Sequence, residues 1–196
     1  MDKSLENTIK LFLKYKERKD KGIPIKLHEE GISTYEYNNY TIKESNLFKA
    51  KDGKYYIRLM LSSNRQFEPL QKYIYINEKN EVVSFAEFQY YYNDETYICN
   101  LETKENYRQK GLITNAILKI EDCSRKYNKG RPLKLLCMKR TGDKENENRN
   151  LKFYKYMGFK INESEENYGE FIHMEKDLSK KTDKKKYIIN NKNLGK

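Results

Sequence analysis

The chain has 196 residues, 35% of them charged, with a formal net charge of +11 and a mean hydropathy of -1.06. That length suffices for one domain with extensions and a buried core; no apolar run approaches the ~20 residues that span a bilayer, and the charged N-terminus does not read as a secretory signal, so a cytoplasmic protein is expected. Seven lysines against one aspartate in residues 179–196 carry six of the eleven net charges, which leaves the rest only modestly basic and weakens any argument from charge to nucleic-acid binding.

The three cysteines, Cys99, Cys123 and Cys137, are odd in number and lack metal-ligand spacing, so they read as small apolar residues of a reduced protein, with no metal expected. In chain order, residues 1–30 read as an extension. Leu5, Ile9, Phe12 and Leu13 form one apolar stripe of an amphipathic helix over 3–19, and Gly22 with Pro24 ends it. Such a helix packs on its own domain or on a second copy, the latter making a homodimer; the former is preferred.

A domain is expected over 31–178. TYEYNNYTI and KYYIRLMLSS read as strands with a turn at Asp52–Gly53, and YIYINEKNEVVSFAEFQYYY as two more joined at Glu78–Asn80. A turn at Asn93–Asp94 leads into the strand ETYICNLET, completing an antiparallel meander. A helix is then predicted from about Gln109 to Tyr127, with Leu112, Ile113, Ala116, Ile117 and Ile120 at helical spacing, followed by the buried strand LKLLCM. Strand, crossover helix and strand make a βαβ unit with parallel strands. A polar stretch, Lys139–Asn150, precedes the helix LKFYKYM, ended by Gly158; FKIN and GEFIHMEKDL read as a final hairpin. Residues 179–196 have the composition of a disordered basic tail.

The turn between ETYICNLET and the following helix carries the clearest chemistry. Consecutive N–H groups from Gln109 to Thr114, through Lys110, Gly111, Leu112 and Ile113, can point at one pyrophosphate, because a helix start presents unpaired donors and partial positive charge. Gly111 lets the backbone come close, and Arg108 and Lys110 add charge.

Two motifs in this order resemble the GNAT acetyltransferase superfamily over roughly Tyr73 to Leu178. The first is Arg or Gln, two residues, Gly, one residue, then Gly or Ala, standing here as Arg108-Gln109-Lys110-Gly111-Leu112-Ile113, approached by Leu101-Glu102-Thr103 and Tyr107. The second is a helix ending in Tyr154, with three residues between it and Gly158-Phe159. Ile113 replaces the usual small residue, Glu147 stands seven residues before Tyr154 where the family has asparagine, and Asn150 replaces an alanine. The last two departures bear on where that helix starts. The resemblance implies an α/β fold: a mixed, mostly antiparallel twisted sheet with a central βαβ unit and flanking helices. It also implies acetyl-CoA as co-substrate, its pyrophosphate on the Arg108–Thr114 turn and its pantetheine arm paired with backbone of Leu101 and Thr103.

Acetyl transfer to an amine needs a base. An alkylamine of pKa near ~10.4 is protonated at pH 7, and removing that proton costs about 4–5 kcal/mol. Glu95 stands where histone-type members of the family place their glutamate, and is preferred over Glu102, seven residues on and therefore on the opposite face of an unbulged strand; a water-mediated route stays open. Tyr154 matches the family's general acid. A free phenol is a weaker acid than a thiol, so hydrogen bonding to the departing thiolate is the safer role. The expected activity is N-acetylation of an amine-bearing small molecule or protein. A catalytically inactive nucleic-acid-binding or interaction module of the same fold is the alternative, motivated by the lysine tail and the tyrosines. The Asn162–Gly169 turn, with Glu163, Glu165 and Glu166, could attract a cationic acceptor, although a solvated loop is the simpler reading.

Overall fold

The computed structural model describes residues 3–26, 39–63, 70–91, 95–127, 131–138, 144–163, 171–180, 182 and 187. They fall into two compact units, one made of residues 1–89 and 100–117, the other of 90–99 and 118–196. Neither unit is a contiguous segment.

In the first unit, helix α1 (Lys3–Asp20) precedes strands β1 (Ile25–Lys26), β2 (Asn39–Lys49), β3 (Tyr55–Ser63), β4 (Gln71–Ile76) and β5 (Val82–Tyr90), which pair in that order. The described pairs β1–β2, β2–β3, β3–β4 and β4–β5 are antiparallel. The β2–β3 and β4–β5 turns fall where the polar residues placed them. Gly53 at φ 82° and Asn80 at φ 64° take the left-handed conformations these turns require. Strand β2 runs to Lys49, past the aromatic segment that announced it, because ESNLFK pairs with Tyr55–Met60 across the turn.

One face of this sheet, with Ile42, Ile57, Leu59, Leu61, Ile74, Ile76 and Phe85, buries against α1. The helix packs on its own unit, as preferred, but on a rotated stripe. Leu11, Phe12 and Tyr15 meet the core and Thr8 is buried, while Leu13 is 55% exposed. The Thr8 hydroxyl donates to the Ser4 carbonyl, and Tyr15 keeps its hydroxyl on Asn80 at the edge, so both polar residues can join an apolar face.

In the second unit, strand β6 (Thr96–Thr103) pairs in parallel with β7 (Leu133–Met138) over Thr96–Ile98, β7 pairs antiparallel with β9 (Phe171–Lys176), and β9 with β8 (Lys160–Ile161). Helix α2 (Leu112–Tyr127) is the crossover between β6 and β7. The fold is therefore mixed α/β, mostly antiparallel, with a βαβ unit and flanking helices. Helix α3 (Lys144–Tyr156) starts seven residues before the apolar segment that signalled it. Its first two turns, KENENRN, lack an apolar stripe and so gave no periodic signal. The turn at Asn93–Asp94, and the 164–169 part of the acidic turn with Glu165 and Glu166, lie outside the described residues.

Buried ion pairing holds the end of the second unit. Glu121, 1% exposed, pairs with Lys176, whose ammonium also donates to the Met157 carbonyl. Arg125 donates to the carbonyls of Leu178 and Lys180, and Thr182 donates to Glu121. Within the stretch expected to be a disordered tail, Ser179, Lys180, Thr182 and Tyr187 are described, and Tyr187 is buried with its hydroxyl on the Met157 carbonyl. Residues 188–196 lie outside the described ones. No helix among the described residues is long and apolar enough to cross a membrane.

Candidate functional site

In the first unit the chain leaves β6 through a 3-10 turn, Glu105–Tyr107, and enters α2 at Leu112. The helix expected from Gln109 thus begins three residues later. Gln109 at φ 61° and Gly111 at φ 80° are both left-handed, which turns the backbone and is incompatible with α-helix. The Asn115 N–H bonds the Gly111 carbonyl, so Gly111 occupies the cap position and the amides of Leu112, Ile113 and Thr114 have no acceptor within the helix. The first turn of α2 contains no acidic residue.

The sheet face opposite α1 fixes this loop. Tyr107 sits edge-on against Tyr56, and the buried Asn77 donates to its hydroxyl at 2.9 Å. Lys110 lies 4.6 Å from the Tyr107 ring centroid and pairs with Asp52 at 3.1 Å. Burial works to lower its pKa, but the hydrogen bonds with Asp52 and Tyr56 outweigh that, and the net direction is upward. Arg108 lies 3.8 Å from Glu105 and is half exposed. Lys51, in the β2–β3 turn, bonds the Lys110 carbonyl through its N–H and lays its side chain over Gly111. Burial lowers the Lys51 pKa. Below the helix start, Arg58 of β3 is 8% exposed and donates to Asn115 Oδ1 at 2.8 Å, an oxygen that also accepts from the buried Tyr75 hydroxyl at 2.9 Å.

Leu101 and Thr103 stand on the part of β6 beyond Ile98, where its register with β7 has ended. The Thr103 hydroxyl is 2.8 Å from Ser84 Oγ, and Ser84 donates to the Glu102 carbonyl.

In the second unit, Glu95 stands just ahead of β6. Its carboxylate pairs with Lys134 of β7 at 2.9 Å and accepts from the Tyr97 hydroxyl at 3.3 Å. Tyr154, in the last turn of α3, packs edge-on against Phe159 and against Phe153. The Phe159 N–H bonds its carbonyl as Gly158, at φ 92°, turns the chain off the helix. Burial, with a smaller contribution from the nearby Cys137 sulfur, pushes the Tyr154 phenol well above its usual range.

Lys51, Arg58, Asn77 and Lys134 were not reached from sequence. Lys51 and Arg58 precede the motif by 57 and 50 residues and meet it through the folded hairpin. Arg58 did leave one signal, a single charge within the apolar run YYIRLML.

The crossover helix of the βαβ unit thus opens on a cation-rich loop turned by Gln109 and Gly111, and helix starts of that kind suit anions. The family model described as acetyltransferase (GNAT) family matches residues 37–159. The chain belongs to that family. Among solved structures it is similar to the PaiA N-acetyltransferase from Thermoplasma acidophilum in complex with coenzyme A, at 20% identity, covering 55% of this chain and 60% of that one with a TM-score of 0.44. It is similar also to GCN5 of Tetrahymena, at 17% identity over 58% and 71% of the two chains with a TM-score of 0.46. A third is a nourseothricin acetyltransferase, at 13% identity over 72% and 88% with a TM-score of 0.45. The chain thus spans less than two thirds of the first of these. No curated protein sequence matches it.

Proposed function

We propose that the protein is an acetyl-CoA-dependent N-acetyltransferase that transfers an acetyl group directly to a primary amine. The observation that carries the reading is electrostatic. Lys51, Arg58, Arg108 and Lys110 gather at the positive end of α2, whose first turn has no acid, and among the described residues Asp52 pairs with Lys110 and Glu105 with Arg108. Each cation at a helix N-terminus costs about 0.3–1 kcal/mol, so the cluster opposes folding unless an anion joins it. A pyrophosphate supplies that anion, and Gly111 admits it to the backbone donors.

The co-substrate, when bound, supplies an activated acyl group on a thioester. The residues of this chain do the remainder. Amides of Leu112, Ile113 and Thr114 with Arg108, Gln109 and Lys110 take the phosphates, and main-chain groups of Leu101 and Thr103 take the arm. Glu95 receives a proton from the acceptor's ammonium, directly or through a water, and the free amine so formed attacks the thioester carbonyl. To take that proton Glu95 must loosen its ion pair with Lys134, which a cationic acceptor displacing the Lys134 ammonium would accomplish. Tyr154 stays neutral and donates a hydrogen bond to the departing sulfur; its raised pKa suits donation and disfavours outright proton transfer.

Calorimetric titration with acetyl-CoA, followed by mass spectrometry of a panel of amines, tests the reading. Saturable binding and an added 42 Da on an amine are expected on chemical grounds, with roughly micromolar affinity. No binding of acetyl-CoA at high micromolar concentration would overturn it.

A further inference from the structure

The turn motif accounts for one wall of the anion site. Three observations point to a second wall, contributed by the β2–β3 hairpin. The Lys51 side chain crosses Gly111 so closely that a Cβ there would lie 3.1 Å from Lys51 Cε, with Cγ and Cδ at 3.5 and 3.6 Å. The stem therefore lies along the loop and carries its ammonium one bond further. The ammonium has no ion-pair or hydrogen-bond partner among the described residues. Its neighbour Lys110 is different, being occupied by Asp52 and Tyr56.

The second observation is Arg58. It is more than nine-tenths buried, directs Nη1 at the first turn of α2, and leaves Nε without a partner. No carboxylate among the described residues pairs with it. A buried guanidinium held only by a neutral amide and lacking a counter-ion is costly, and its charge adds to the field at the helix start. The third is the hairpin's attachment: Lys51 N–H to the Lys110 carbonyl and Asp52 to the Lys110 ammonium fix turn to loop at two points.

We propose that the β2–β3 hairpin completes the phosphate site, with Lys51 as a direct phosphate ligand across Gly111 and Arg58 as a buried positioning residue that acts through Asn115 on the opening turn of α2. The ligand class is the phosphate-bearing end of an acyl-CoA, so the inference rests on the reading above. In this arrangement Asp52 neutralises Lys110 and steers the hairpin, and Lys51 brings the uncommitted positive charge.

The test is calorimetry with CoA on the full chain at about 50 mM and about 500 mM NaCl. Lys51→Ala is expected to weaken binding about tenfold at the lower salt, as for a lost charge-assisted hydrogen bond, and by under about threefold at the higher, where the charge is screened. Lys51→Arg should restore affinity to within about threefold. Arg58→Met should weaken CoA about tenfold with a similar loss of salt dependence, and Arg58→Lys, which keeps the charge, should recover part of it; the second variant covers the case in which the first does not fold. Equal CoA affinity for Lys51→Ala and the unaltered chain at both salts would overturn the proposal. A parallel titration with inorganic pyrophosphate separates the two readings. If the unaltered chain ignores CoA but binds pyrophosphate in a Lys51-dependent way, the anion site stands and the acyl-CoA reading fails; if it binds neither, both fall.

Discussion

Burial decides what Tyr154 can do. Its phenol is held neutral far above pH 7, so replacing it removes a donor and not a titrating acid. Tyr154→Phe should lower kcat about 10–100-fold, leave CoA affinity within about twofold, and leave the pH–rate profile without a Tyr154 limb below pH about 10. An alkaline limb near pH 8–9 that vanished in the variant would contradict the hydrogen-bonding role. For Glu95 the relevant neighbour is Lys134, which the sequence places 39 residues away and the parallel β6–β7 register brings alongside through Tyr97. Glu95→Gln should cut kcat by about 10²–10³ with CoA affinity retained, whereas Glu102→Gln should change kcat by less than about threefold. The reverse order in steady-state kinetics would move the base to Glu102. Glu95 and Tyr154 were picked out as candidates in the sequence because each stands at a fixed offset from a motif. Their partners were not, since strand pairing joins residues that no local pattern relates.

Single glycines separate local strain from site geometry at the scale of the element. Gly53 and Gly111 have nearly equal angles, φ 82° and 80°, but a Cβ at Gly53 meets nothing within 4 Å whereas one at Gly111 meets Lys51. Gly53→Ala should cost about 1 kcal/mol of stability and leave CoA binding within about twofold. Gly111→Ala adds displacement of the Lys51 stem and obstruction of the helix-start amides, and should weaken CoA at least tenfold; denaturant melts paired with calorimetry distinguish the two. The same loop shows where sequence reading stops. Periodicity located α2 and its apolar face, with Leu112, Ala116, Ile117 and Ile120 all buried, but it could not find the helix start. Two left-handed residues and a 3-10 turn intervene, and such backbone states leave no hydrophobic period. Helix α3 erred in the other direction, because polar residues can be helical without announcing it. The β-meander and the βαβ unit were readable because aromatic and β-branched runs bounded by turn residues specify pairing order almost without competition.

Across the molecule, the tyrosines that compensate for low aliphatic content set a limit on alkaline stability. Tyr75 in the first unit and Tyr90 and Tyr154 in the second are all pushed above the usual phenol range, with burial the leading cause in each. An unfolded chain releases these protons near pH 10. The folded chain holds them to higher pH, so above about pH 10 it binds more protons than the unfolded chain, and stability must fall as pH rises. Below pH 10 both states are protonated at these sites, and they contribute no pH dependence. The slope is about 0.7 kcal/mol per pH unit for each phenol at pH 10 and approaches about 1.4 above it, so three together would remove about 3 kcal/mol between pH 10 and 11. That is a large part of a net stability on the order of 5–15 kcal/mol. Urea unfolding at pH 8, 9, 10 and 11 should therefore give a flat midpoint up to pH about 9.5 and a steep loss beyond it. Tyr154→Phe provides the internal control: deleting one of the three protons should shallow the alkaline slope by about a third while the plateau stays flat. A midpoint unchanged to pH 11, or a slope unaffected by the substitution, would mean that these phenols ionise in the folded chain as readily as in the unfolded one.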